Sequence, residues 1–248
     1  MMKEFTLNVV YWLLLVAFCI LPCLGISQDY SQDIVKITAR FNKGDASYRM
    51  KYCFYPYDSV KKASDSMNAD CYISGQDYYF RINSGEKLFE YYRNSKYYFV
   101  IDHTQKAVMV KNNSESQQQL WDMSKVDSLI HVPGVKITYK ELDNNHGQYE
   151  ISIPGGTWNR FRLVFDHNTY SLEKMYMYSS YSGMLSGTMC KKPRVGIYYS
   201  SYSEKQLDKN IFSEAKVFSD THSSIVLTNS YGKYKLLDYI YKLTNRKA

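Results

Sequence analysis

Residues 48–55 carry the cleanest pattern in the chain. Tyr48, Met50, Tyr52 and Phe54 alternate with Arg49, Lys51, Cys53 and Tyr55, the period of a strand with one buried face. Pro56 stops it. Further short strands are predicted at 71–74, 78–82, 88–92, 97–101 and 107–110. Turn residues separate them: Gly75, Asn83-Ser84-Gly85, Asn94-Ser95 and Asp102-His103-Thr104-Gln105. A second series is predicted at 135–142, 148–153, 161–165, 170–178, 194–199 and 215–218. Its turns are Asp143-Asn144-Asn145-His146-Gly147, Pro154-Gly155-Gly156 and Asp166-His167-Asn168.

Two stretches change period. Ile34, Ile37 and Phe41 fall at helical spacing within 29–41, with Asp29 or Ser31 available to cap the start. Leu120, Met123, Val126 and Ile130 give an imperfect stripe that predicts a second helix over 117–130, ended by Pro133-Gly134. Residues 58–70 and 179–192 read as polar loops, 204–209 as a polar helical turn, and 234–243 as a last apolar run. The order is a helix, five or six antiparallel strands, a central helix, then more strands. Short strands with tight turns favour an open barrel or strongly curved sheet of roughly ten strands. The helices then belong on its concave face.

The amino terminus has its own pattern. Thirteen apolar residues run from Val9 to Leu21, after Lys3 and Glu4. That is short for a membrane span, which needs about 20. Pro22 and Gly25 follow, and Gly25 and Ser27 set small residues at the positions a signal peptidase reads. Residues 1–27 are therefore expected to be a cleaved signal peptide, leaving 28–248 as a single exported domain. An uncleaved anchor is one alternative. A lipid-bearing Cys23 is another, disfavoured by Pro22 just before it. The sequence contains no second long apolar run.

Composition adds one surprise: 26 Tyr and 11 Phe among 248 residues. Aromatic side chains suit a half-buried pleated surface, and tyrosine covers apolar area while keeping a polar tip wet. The net charge of +7 is spread thinly, with no run of five Lys or Arg. Together with export, that argues against nucleic acid and leaves a mild attraction to anionic lipid headgroups open. Three cysteines lie beyond the leader: Cys53, Cys71 and Cys190. Cys53 and Cys71 sit on neighbouring predicted strands and could bridge in an oxidising compartment.

Catalytic motifs are absent. No His-Glu-x-x-His or Cys-x-x-Cys pair offers a metal site, and no Gly-x-Ser-x-Gly elbow presents a serine. Asp102-His103 and Asp166-His167 are adjacent pairs in predicted turns. The expectation is no enzyme, no metal and no cofactor.

The order of elements carries a resemblance. Residues 34–41 followed by 48–54, then 75–82 leading to 88–92, then 97–110, and 161–178 with its acidic turn, together resemble the LolA-type periplasmic lipoprotein carriers. The tyrosine load and lengthened loops look like the divergent Bacteroidetes-type members of that superfamily. The resemblance implies a mainly β (α+β) fold: an incomplete, half-open antiparallel β-barrel wrapped over two or three helices, enclosing an apolar cavity. It implies a periplasmic, non-enzymatic carrier or binding protein whose partner is a lipid or lipidated protein, with envelope membrane proteins as further partners. The candidate lining is the alternating face of Tyr48, Met50, Tyr52 and Phe54, joined by Phe99, Ile101 and Met109. The alternative is a structural or adaptor subunit of an envelope complex, in which the same face is plain core.

Overall fold

The computed structural model describes residues 30–42, 45–57, 61–113, 132–185 and 188–241. The expected signal peptide, Cys23, and the expected helix over 117–130 lie outside those residues. The helix α1 (Tyr30–Asn42) forms where the apolar spacing placed it. Asp33 sits in its first turn and Arg40 in its last, the arrangement that the helix dipole favours.

Among the described residues twelve strands make one sheet. Its first wing is a run of hairpins: β1 (Asp45–Tyr55), β2 (Asp65–Ser74), β3 (Asp77–Ser84), β4 (Lys87–Arg93), β5 (Tyr97–Asp102) and β6 (Ala107–Asn112). The second wing comprises β7 (Lys136–Glu141), β8 (His146–Ser152), β9 (Trp158–Asp166) and β10 (Leu172–Ser179). A small hairpin, β11 (Gly183–Leu185) with β12 (Thr188–Cys190), precedes β13 (Arg194–Ser203). β13 lies between β10 and β1 and joins the wings, with Met50 opposite Tyr199. A second small hairpin, β14 (Phe218–Asp220) with β15 (Ile225–Leu227), leads to β16 (Lys235–Asp238). Among the described residues β16 is the one parallel neighbour, alongside β6. The sheet is curved and does not close; β16 and β7 are its edges. The described residues from Ser31 onward belong to one unit.

Several expectations need correcting. The sheet has twelve strands where about ten were expected. One α-helix is found among the described residues, where the resemblance implied two or three. Part of the expected 58–70 loop is β2, which runs on from Asp65 because its ladder with β1 continues from Tyr48↔Cys71 to Phe54↔Asp65. The expected 179–192 loop contains the β11–β12 hairpin.

Directly paired residues on neighbouring strands point to the same face, so the register divides the sheet into two surfaces. On the helix face, Tyr139, Tyr149, Leu163, Met175 and Ile197 are successive partners from β7 to β13, and Ile197 pairs onward with Tyr52 of β1. Ile34 and Ile37 of α1, fully buried, join this cluster. Gly147 of β8 belongs to the same face. A β-carbon there would come within 2.9 Å of Tyr139 and Phe165 and 2.8 Å of His167. Only glycine leaves those rings in place.

The opposite face carries a second, separate core. Phe99, Ile101, Val108 and Val110 of β5 and β6 are fully buried beneath Val217, Phe218 and Ile225.

Candidate functional site

The helix face is where the sequence placed a ligand. The side chains of Tyr48, Met50 and Tyr52 do converge there, at 8%, 4% and 2% exposure. They are packed: the Tyr52 hydroxyl donates to Met50 Sδ at 3.4 Å, and the rings of Tyr48 and Tyr199 lie 6.0 Å apart. Burial pushes the Tyr48 and Tyr52 phenols well above their ordinary value. Phe54 is half-buried against the same cluster.

Helix α1 is fastened to this face by polar contacts as well as by its isoleucines. The Tyr149 hydroxyl donates to Asp33 Oδ2 at 2.6 Å, in a buried setting. At the other end the Tyr202 hydroxyl donates to the Arg40 carbonyl at 2.9 Å. The Arg40 guanidinium bonds the Thr169 carbonyl and, at 2.7 Å, the Ser171 hydroxyl. A pocket of about 130 Å³ remains beside this end, lined by Arg40, Tyr48, Leu172, Tyr199 and Tyr202 among others.

The remaining lining residues separate. Across the β4–β5–β6 ladders, Tyr91 pairs with Val100 and Val100 with Met109, while Tyr92 pairs with Phe99 and Phe99 with Val110. The hairpin registers place Tyr91, Val100 and Met109 on the helix face and Phe99 and Ile101 on the opposite one. Phe99 and Ile101 are therefore core of the second cluster, and the expectation that they line a common cavity with Tyr48 is corrected. Met109 stays on the helix face. Reading parity through each turn would have found this, since a partnered pair always shares a face.

The register also gathers apolar residues that the local pattern did not single out. Toward the β16 edge the helix face is still apolar but less covered. Ile82, Phe89, Tyr91, Val100 and Met109 are all half-buried, and Leu237 of β16 is half-buried beside Met109.

Cys53 and Cys71 are not bridged. Cys71 pairs with Tyr48 on the helix face, while Cys53 pairs with Gly196 on the opposite face. The sheet itself lies between their side chains, so the suggested disulfide is corrected. Burial pushes the Cys71 thiol up to about 12.

The two Asp-His pairs serve their turns. Asp102 Oδ1 accepts the Gln105 N–H at 2.9 Å, and Asp166 Oδ1 accepts those of Asn168 and Thr169 at 3.0 and 2.7 Å. His103 Nδ1 lies 2.9 Å from the Tyr234 hydroxyl and its Nε2 3.3 Å from Glu90. His167 Nε2 lies 3.1 Å from the Tyr139 hydroxyl. Among the described residues, no group of three or more His, Cys, Asp or Glu is arranged to hold a metal ion.

A second concavity was not foreseen. A cleft of about 490 Å³ opens where β7 and β9 begin and β8 and β10 end, with Lys136, Arg160 and Lys192 in its lining.

No family model matches the chain, and no curated protein does. Solved structures offer similarities. An uncharacterized conserved protein from Thermus thermophilus is 6% identical, over 85% of this chain and 99% of that one, with a TM-score of 0.46. The lipoprotein LppX of Mycobacterium tuberculosis is 10% identical, over 73% and 99%, at 0.41. A LolA superfamily protein from Nitrosomonas europaea is 10% identical, over 74% and 97%, at 0.34. The solved structures that this chain is similar to thus include a LolA superfamily protein.

Proposed function

We propose that this protein is an exported, periplasmic, non-enzymatic carrier or binding protein for the acyl chains of a lipoprotein or another lipid. The supporting observation is the uneven cover of the helix face. Under α1 the face is sealed. Toward β3–β6 the same apolar surface continues through Ile82, Phe89, Tyr91, Val100 and Met109, all half-buried. An acyl chain laid there gains about 0.8 kcal/mol for each methylene taken out of water. Methionine and aromatic side chains suit such a seat because they adapt to a flexible ligand. On this reading Tyr48, Met50 and Tyr52 support the seat as core, and Met109 is the one residue of the original lining that touches the ligand.

Native mass spectrometry of the protein purified from its own envelope, followed by lipid extraction, tests the proposal. The expected result is a bound lipid that Met109→Asp reduces. Protein that carries no lipid, and takes up none from added fatty acid, overturns it.

One observation favours the second reading, a structural or adaptor subunit of an envelope complex. The pocket beside Tyr48 measures only about 130 Å³, whereas ligand sites run from roughly 300 Å³ upward. Protein without lipid that co-purifies with a fixed envelope partner would select this reading.

A further inference from the structure

The two ends of the strands in the seam and second wing differ in character. At one end β1, β8 and β10 finish and β2, β7, β9 and β13 begin. Of the eight large apolar side chains that stand exposed among the described residues, four lie in these strand ends and turns: Tyr57, Val132, Tyr181 and Met189. Tyr181 and Met189 are the most exposed of the eight, at 59% and 69%. Around them lie Lys61 and Lys62, Lys136, and Lys191 and Lys192, all exposed. None of the five lysines is ion-paired with a described residue. Asp65 is the one acid among the described residues of these ends and turns. The far ends of the same strands carry Asp45, Asp143, Asp166 and Glu204, with Arg40 beside Glu204.

The β11–β12 hairpin projects from the basic end, and its base is fixed. The Ser179 N–H donates to the Pro193 carbonyl at 2.9 Å, and the Ser180 N–H to the Thr157 carbonyl at 3.0 Å. Alternation along β12 turns Cys190 inward, at 2% exposure, and Met189 outward. Met184 holds the ladder position opposite Met189. Lys191 and Lys192 follow directly. Exposed apolar groups rimmed by polar ones mark an interaction surface. The residue types here suit a lipid headgroup layer. Tyrosine has an apolar ring and a wet hydroxyl. Lysine lays its stem along apolar surface and keeps its ammonium with the phosphates.

We propose that this end of the protein docks on the surface of an anionic phospholipid bilayer. Tyr181 and Met189 dip among the headgroups, and the lysines around them meet the lipid phosphates. Apolar burial and attraction to anionic lipid add together in such contacts. The acidic turns at the far ends are then directed away from the membrane, so the charge along the strands sets which way the protein stands. The docking end shares no residue with the half-buried apolar strip. The inference therefore holds whether or not an acyl chain binds there.

Co-sedimentation of the purified chain with phosphatidylglycerol vesicles, against phosphatidylcholine controls at low ionic strength, tests it. Binding to the anionic vesicles is expected, fading as salt is added. The double variant Lys191→Gln/Lys192→Gln weakens it by about twentyfold, or about fivefold per lysine. Lys205→Gln/Lys209→Gln removes the same charge from exposed positions outside the docking end and leaves binding near the parent's. Met189→Asp weakens binding several-fold. Each of these side chains is exposed, so the unfolding midpoint stays in place. Absence of vesicle binding, equal losses from the two lysine pairs, or a Met189→Asp variant that binds like the parent overturns the proposal.

Discussion

The two faces of the sheet are sealed in different ways. On the helix face the cover is α1, and the packing is mixed: Ile34 and Ile37 against tyrosine, methionine and aliphatic side chains from both wings. On the opposite face, β2 to β5 carry an in-register aromatic ladder of Tyr72, Tyr79, Tyr92 and Phe99. Neighbouring rings stack at 5.6, 4.6 and 4.4 Å, and Phe218 caps the series edge-on at 5.2 Å. The cover there is the β14–β15 hairpin. It is pinned where the Tyr97 and Tyr241 hydroxyls donate to the two oxygens of Asp220 at 2.5 and 2.8 Å. Stacked pairs contribute about 0.5–1.5 kcal/mol each beyond their buried area. A short hairpin can thus do on one side what a thirteen-residue helix does on the other.

The largest test of that contrast is Phe99→Ala, which removes both a stacked and an edge-on partner from a fully buried site. A loss of about 3–5 kcal/mol is expected in urea unfolding. Phe218→Ala should couple with it, so that the double variant loses less than the two single losses combined. Independent, additive losses would mean that hairpin and ladder are not one core.

On the helix side, Tyr149→Phe keeps the ring but deletes the hydroxyl that donates to buried Asp33. About 1.5–3 kcal/mol is expected to go with that charge-assisted bond. A variant as stable as the parent would show that the Tyr149–Asp33 bond adds nothing to the hold on α1.

A smaller effect separates the sealed and open parts of the helix face. Met50→Trp should cost about 1–3 kcal/mol by overpacking. Met109→Trp, at a half-buried position, should stay within about 0.5 kcal/mol. Equal costs would mean that both ends of the face are filled core.

The smallest effect is at the surface. His146 Nδ1 lies 2.8 Å from Asp143 and Nε2 3.3 Å from Glu173. The Asp143 hydrogen bond, aided by Glu173, holds the imidazole above its ordinary 6.5. The charged ring therefore adds stability that is full below about pH 6.5 and fades as pH rises through the higher folded value. A proton-NMR titration of this ring should show its midpoint above the ordinary 6.5; a midpoint at or below that value overturns the assignment.

Much of this was written in the local pattern. Ile34 and Ile37 gave the helix its buried stripe, and the alternation from Tyr48 to Phe54 gave β1. The acidic turns at Asp102 and Asp166 gave the hairpins that flank them. What local pattern could not supply is which face a strand presents once it has been placed. Phe99 and Val100 are both apolar neighbours on β5, and only the chain of registers back to Tyr48 tells them apart. The basic cleft was invisible for a related reason. Lys136, Arg160 and Lys192 are far apart in sequence, and only the antiparallel stacking of β7 to β10 gathers them at one end of the sheet.

The β1–β13 seam has a consequence in time. β1 meets β2 as soon as the first hairpin exists, but its other edge must wait for Tyr199 of β13, far along the chain. Closing so long a loop costs entropy before any contact is made, and topologies dominated by distant pairings fold slowly. During that interval an apolar strand stands with one side of its ladder unpaired, which invites pairing with another molecule. Refolding should therefore be slow and concentration-sensitive, and the newly made chain would gain from a chaperone that shields β1 until its late partner arrives.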